Sequence, residues 1–167
     1  MVEGDVFIEE NGVYQIDCTK AIWATDQVYS QYHIAGTFLC DVDFIAETEK
    51  YIYLIEYKNA NIPNAVNPSG FNPSAQGKID SIARKFYDSL HYLAMKKKNK
   101  PVRYIYIVEY PNAGLTERKL LRDRIVDRLP FKLQKGQPKA IIDAFDVVSI
   151  AEWNKHGDYS IFPLTHV

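Results

Sequence analysis

Two strand-like runs joined by a short polar turn constrain this chain more than any other stretch, because both carry charges where a sheet normally buries apolar side chains. The first run is Cys40-Asp41-Val42-Asp43-Phe44-Ile45-Ala46, the turn is Glu47-Thr48-Glu49-Lys50, and the second run is Tyr51-Ile52-Tyr53-Leu54-Ile55-Glu56-Tyr57-Lys58. A charge inside such a run must be paired or hold a metal. Strand side chains alternate between faces, so Glu56 and Lys58 share a face with Ile52 and Leu54, while Asp41 and Asp43 share one with Ile45. If Glu49-Lys50 is a two-residue hairpin turn, Thr48 faces Tyr51 and Asp43 faces Glu56. A turn centred on Thr48-Glu49 brings Asp41 opposite Glu56 instead. Directly opposed residues have Cβ atoms about 4.5–5.5 Å apart, close enough for two carboxylates to share one hard cation. Mg2+ takes oxygen ligands and is commonly held by one or two carboxylates plus substrate phosphate. Lysine is a compact charge suited to a place beside the attacking water or a phosphate oxygen. The pattern points to a divalent-cation site aimed at a phosphodiester. Its ligands would be Asp43 and Glu56, with Asp41 in reserve and Lys58 assisting, and Mn2+ would substitute for Mg2+.

Asp43 followed thirteen positions later by Glu56-Tyr57-Lys58 resembles the Asp…(Asp/Glu)-x-Lys signature of the restriction-endonuclease-like (PD-(D/E)XK) nuclease superfamily. The resemblance covers residues 36–110. It implies a Mg2+-dependent deoxyribonuclease in which Asp43 and Glu56 bind metal and Lys58 is the catalytic lysine. Val42 stands where a proline often precedes the first Asp. Many members take a further Glu from an N-terminal helix, and no helix is expected here before residue 18, although Asp17 or Asp26 could lend a carboxylate. Several groups carry a Gln or Lys facing the site from the helix after the motif, a place filled here by Gln76, Lys78 and Lys85. An acidic-x-Lys triplet also occurs at Glu117-Arg118-Lys119, but without an acidic strand before it. The alternative, from another class, is a nucleic-acid-binding or assembly module that keeps the fold without turnover. Divalent-metal binding separates the two.

Net charge is −1, yet its distribution is uneven. Residues 78–139 hold sixteen Lys/Arg against six Asp/Glu, and the rest of the chain holds four against fifteen. Such asymmetry fits a polyanion-facing surface beside an acidic one, and DNA is the expected partner. Lys78, Lys85, Arg118 and Arg122 are the expected phosphate contacts. Double-strand cleavage would favour a homodimer. The length of 167 residues and the apolar share of 47% suit one domain with a sizeable core. No run of eighteen apolar residues offers a membrane span. The opening Met1-Val2-Glu3-Gly4-Asp5 lacks the basic and apolar regions of a secretory leader. Cys18 and Cys40 are too few for a disulfide framework, so a cytoplasmic protein is expected. The four histidines show no metal-ligand spacing, and His91 reads as structural.

Along the chain, Asn11-Gly12 between Val6–Glu10 and Val13–Ile16 predicts a hairpin with a type I′ turn, closing an N-terminal segment 1–17. Residues 18–33 read either as a short helix from Thr19 or as a loop with strand pieces. Strands are expected at 36–46 and 51–58, then a long loop from Asn59 to Ser74. Asn72-Pro73 should cap a helix to Lys98, its stripe made by Ile79, Ile82, Ala83, Phe86, Leu90, Leu93 and Ala94. Lys96-Lys97-Lys98 suits the negative end of that helix. Val102–Tyr110 reads as a buried strand. Segment 111–167 adds a helix from Thr116 to before Pro130, with Leu120, Leu121, Ile125 and Leu129 inward and Arg118, Lys119, Arg122, Arg124 and Arg128 outward. It ends with a strand at 145–149, a capping box at Ser149–Glu152 and a strand at Tyr159–Phe162. The order predicts a single α/β (mixed α+β) domain, restriction-endonuclease-like, with a central mixed sheet flanked by helices.

Overall fold

The strand that carries Glu56 is the middle strand of the main sheet. The computed structural model describes residues 5–167; residues 1–4, and with them most of the opening stretch read for a leader, lie outside the described residues. In chain order the elements are β1 (Val6–Ile8), β2 (Tyr14–Asp17), β3 (Trp23–Thr25), α1 (Val28–Ile34), β4 (Phe44–Glu47), β5 (Ile52–Asn59), α2 (Gln76–Met95), β6 (Val102–Glu109), α3 (Leu115–Val126), β7 (Ile142–Val148), α4 (Ile150–Lys155) and β8 (Leu164–His166). The main sheet runs β3-β4-β5-β6-β7 and a smaller one runs β1-β2-β8. β3, β4 and β5 are antiparallel neighbours, whereas β5, β6 and β7 are parallel. Parallel neighbours need a crossover, and α2 and α3 supply the two. The chain is thus a single mixed α+β domain with a five-stranded mixed sheet between helices.

Both faces of β5 are covered, which is why Ile52 through Tyr57 are all buried and read as an almost unbroken apolar run. On one face Ile52, Leu54, Tyr104, Tyr106 and Phe145 pack under Ile79, Ile82, Phe86 and Leu93 of α2 and Leu121 and Ile125 of α3. On the other face Phe44, Tyr53, Ile55 and Ile107 pack against Phe7 and Ile16 of the small sheet, Trp153 of α4 and Phe162. Burying a Leu, Ile or Phe side chain contributes about 1.5–3 kcal/mol, so these two cores hold the three layers together. Among the described residues no helix is long and apolar enough to cross a membrane. Cys18 and Cys40 are both free.

Several elements differ from their sequence expectation, each for a local reason. The N-terminal hairpin has the expected register, Phe7 opposite Ile16, but its turn is wider than type I′, and only Gly12 takes positive φ, at 72°. The buried Glu9 carboxylate draws the turn together by accepting from the amides of Asn11 at 2.8 Å and Val13 at 2.7 Å. Both readings of 18–33 contribute, since β3 and α1 share that stretch. The strand expected over 36–46 shortens to Phe44–Glu47 because α2 side chains take the preceding amides. Cys40 N–H donates to Asp88 at 2.9 Å and Val42 N–H to the Ser89 hydroxyl at 3.3 Å. Asn72 turns on its own backbone, accepting from Ser74 N–H at 3.1 Å, so α2 starts at Gln76. Ala94 and Leu120 face solvent, and Arg118 is buried rather than outward. Tyr159–Ile161 forms a 3-10 turn, and the final strand is β8, paired with β2.

The end of α2 carries no glycine. Lys98 N–H reaches the Leu93 carbonyl at 2.9 Å and Lys97 N–H the Ala94 carbonyl at 3.0 Å, the paired bonds of a Schellman cap. The left-handed residue there is Lys97, φ 55°. Lys98 then turns back to Glu47 at 2.6 Å, where Lys100 joins it at 2.8 Å. Burial alone would raise the Glu47 carboxyl, but its hydrogen bonds to Lys100 and Lys98 hold it below its ordinary value. Replacing Lys97 by Gly removes the left-handed penalty of a side chain, so Lys97→Gly should stabilise the fold by roughly 0.5–1 kcal/mol. Urea unfolding measures this, and a loss of stability would contradict the cap.

Candidate functional site

β4 sets the geometry of the charged cluster. Its ladder pairs Phe44 with Ile55 and Glu47 with Ile52, and Thr48 N–H closes the turn on the Tyr51 carbonyl at 2.8 Å. This is the register of a Glu49-Lys50 turn. One step beyond the ladder it brings Asp43 level with Glu56, and Asp43 accepts a hydrogen bond from Tyr57 N–H at 2.8 Å. Asp41 lies outside the strand and is half-buried.

Glu56 is only 5% exposed. One of its oxygens, Oε1, meets Lys85 Nζ at 2.5 Å, while Oε2 is buried with no hydrogen-bond partner. Burial and then the Asp43 charge push the Glu56 carboxyl well above the usual carboxylate range, and Lys85 only partly offsets them. Asp43 is raised to about 6, chiefly by burial, against the Tyr57 N–H bond and Lys85. Asp41 is raised by burial as well, with Lys85 and His33 opposing. Burial alone would lower Lys85, but Glu56, Asp43 and Asp41 outweigh it and keep the ammonium charged. Three carboxylates and one lysine therefore form an electrostatic unit at the end of β5.

A cavity of about 340 Å3 opens beside this unit, lined by Asp41, Asp43, Tyr57 and Lys58 together with Glu10 and Asp26. Glu56 is not part of that lining. Lys58 shares the face of Glu56 but is exposed. Among the described residues it makes no ion pair, so it is free to meet a ligand. Asp17 is turned toward Thr19, whose hydroxyl donates at 2.6 Å, and does not join the cavity. Asp26, the other carboxylate expected from this region, does line the cavity, as do Glu9 and Glu10, and the Glu10 charge adds to the raising of Asp43.

The four expected phosphate contacts separate in the structure. Lys78 is exposed in the first turn of α2. Lys85 is half-buried on Glu56 instead of open to DNA. Arg118 is committed to Glu152 and to the Ala113 carbonyl, which draws it inward because a guanidinium is buried only when paired. Arg122 donates to the Phe145 carbonyl at 3.0 Å and lies 3.7 Å from Asp146. Of Gln76, Lys78 and Lys85, which the resemblance placed on a helix facing the site, Lys85 is the one that reaches Glu56, a pairing the sequence reading did not foresee. Its signal was spacing, since Lys85 follows Ile82 by three and precedes Ser89 by four on the buried face of α2.

Among the described residues no group of three or more His, Cys, Asp or Glu side chains is arranged to hold a metal ion. Asp43 and Glu56 are the pair with the right chemistry, being hard oxygen donors with one buried oxygen left unpartnered. No protein-family model, curated protein or solved structure matches the chain.

The raised carboxyls have a pH signature. A carboxyl whose folded value exceeds its unfolded one binds its proton more tightly when folded, so stability rises as pH falls through that window and is lost as pH climbs. For Asp43 the window runs from the ordinary 3.8 to about 6. The metal-free protein should therefore gain stability between pH 7 and pH 5 relative to Asp43→Asn, in which this contribution is absent. Melting curves of both proteins across this range test it, and parallel pH profiles would contradict the burial of Asp43.

Proposed function

We propose that the protein is a Mg2+-dependent nuclease that hydrolyses DNA phosphodiester bonds on a restriction-endonuclease-like core. The observation that carries this reading is the Asp43–Glu56 juxtaposition, with a Glu56 oxygen buried and unpartnered. An apolar sheet gains nothing from such an oxygen, whose desolvation costs about 1–3 kcal/mol or more when left unsatisfied. A divalent cation held between the two carboxylates would satisfy it. When bound, that ion would neutralise charge developing on phosphorus and lower the pKa of a coordinated water. The rest falls to the chain's own residues. Tyr57 N–H fixes the Asp43 carboxylate, and Lys85 fixes that of Glu56, as outer partners orient metal ligands. Lys58, free at the cavity edge, reaches a phosphate oxygen or the attacking water. Lys78 holds a neighbouring phosphate. Two unpaired cysteines suit a cytoplasmic setting.

The ion pair between Lys85 and Glu56 favours a second reading, a nucleic-acid-binding or assembly module without turnover, because a lysine can stand permanently where a metal would be shared. The two readings part on Lys58. As the catalytic group, Lys58→Ala should lower turnover by about 10²–10⁴ and still bind Mn2+. Plasmid nicking and degradation of single-stranded circles with Mg2+ or Mn2+ measure this. Wild-type protein that binds DNA but takes up no divalent metal and cleaves neither substrate would favour the module instead.

Metal binding has its own readout. Mg2+ or Mn2+ should raise the melting temperature by mass action, and Asp43→Asn or Glu56→Gln should abolish the rise. An undiminished rise in both variants would remove these carboxylates from the site. DNA affinity should fall with salt at a slope of about −0.9 per phosphate neutralised, and Lys78→Ala should flatten that slope. Affinity indifferent to salt would return Lys78 to an ordinary solvated position.

A further inference from the structure

We propose that the cavity on the other side of Lys58 is a subsite for an unpaired nucleotide, which makes single-stranded or frayed DNA the substrate class. The inference deepens the nuclease reading and rests on it. This cavity, about 440 Å3, lies between the end of β5, the 60–75 loop and the first turn of α2. It shares Asn11, Lys58 and Asn59 with the carboxylate cavity, so a strand crossing one continues into the other. No Asp or Glu lines it. Its two charges are Lys58 and Lys78, both exposed and unpaired among the described residues.

The rest of its polar lining is amide. Asn64 makes no side-chain hydrogen bond among the described residues. Asn67 and Asn72 engage only their carbonyl ends, toward Ser69 at 3.4 Å and Ser74 at 3.1 Å. Their NH2 groups remain open. An asparagine amide offers a donor and an acceptor side by side, the pattern a base edge presents. Half-buried Phe71, set edge-on to Tyr110, adds an aromatic face on which a base can stack.

The loop is shaped to present these groups. Asn67 is held in the left-handed region at φ 57°, and its side chain lies against Gly70, where an added Cβ would overlap the amide. Two unpaired lysines for phosphates, amides for a base edge and a volume in the range of small-ligand sites together describe one nucleotide. A base stacked and paired in a duplex would have to leave the helix to enter such a cavity, so the cavity favours an unpaired base.

Fluorescence anisotropy in EDTA tests this without metal or turnover. The probes are a labelled oligothymidylate and a blunt duplex of equal length. The single strand should bind about ten-fold tighter than the duplex, and Asn64→Ala, Lys78→Ala and Gly70→Ala should each weaken it about three- to ten-fold. The Mn2+-induced rise in melting temperature should persist in all three. Asn64 is exposed in a loop, so its variant guards against misfolding of Gly70→Ala. Equal or tighter duplex binding, or unchanged single-strand binding in Asn64→Ala and Gly70→Ala, would overturn the subsite. Single-strand preference with these losses, but no cleavage with Mg2+ or Mn2+, would keep the subsite and refute the nuclease reading. Equal cleavage of both substrates with unaltered variants would do the reverse.

Discussion

A carboxylate buried in the middle strand of an apolar sheet is costly, and the architecture around Glu56 is arranged about that cost. The desolvation of an ion in a protein interior amounts to several kcal/mol even after relaxation. Lys85 reaches in from α2 to offset part of it at Oε1, and Oε2 is left with nothing. Nearby Asp43 adds like charge, which raises the Glu56 carboxyl further, and Asp41 and Glu10 do the same to Asp43. On the proposed reading, a divalent cation would relieve this repulsion and supply the partner that Oε2 lacks.

The same strand decides where a ligand would enter. β5, β6 and β7 run parallel, and ligands of open α/β sheets gather beyond the carboxyl ends of such strands. Both cavities lie there, separated by Lys58 and Asn59. The carboxylates crowd one side of Lys58 and the amide-rich loop flanks the other. An acidic cavity and one whose only charges are lysines therefore meet at one side chain. The long loop after β5 is anchored to the helix-side core through Phe71, so its amides are presented from a rigid scaffold, as loops that carry function commonly are.

Much of this was legible in the sequence. Turn length narrowed the residue opposite Glu56 to Asp43 or Asp41, a choice the ladder makes for Asp43, and the stripe from Ile79 to Leu93 marked the buried face of α2. What escaped was set by long-range partners. The amides of Cys40 and Val42 are taken by Asp88 and Ser89, nearly fifty residues away, so a strand-like run became an extended anchor. Arg118 looked like a surface charge until Glu152 drew it inward. The end of α2 carried no glycine to announce it, because Lys97 takes the left-handed position itself. The Lys85–Glu56 pair combined a spacing signal on α2 with a strand acid, and neither alone named the other.

On the proposed reading Asp43 and Glu56 would hold one divalent cation between them. Anomalous scattering from Mn2+-soaked crystals tests it most directly. The account predicts a single strong peak within coordinating distance of an oxygen from each carboxylate, with the Glu56 oxygen that lacks a protein partner turned onto it. Well-diffracting crystals with no peak at that position, and Lys85 still seated on Glu56, would contradict it.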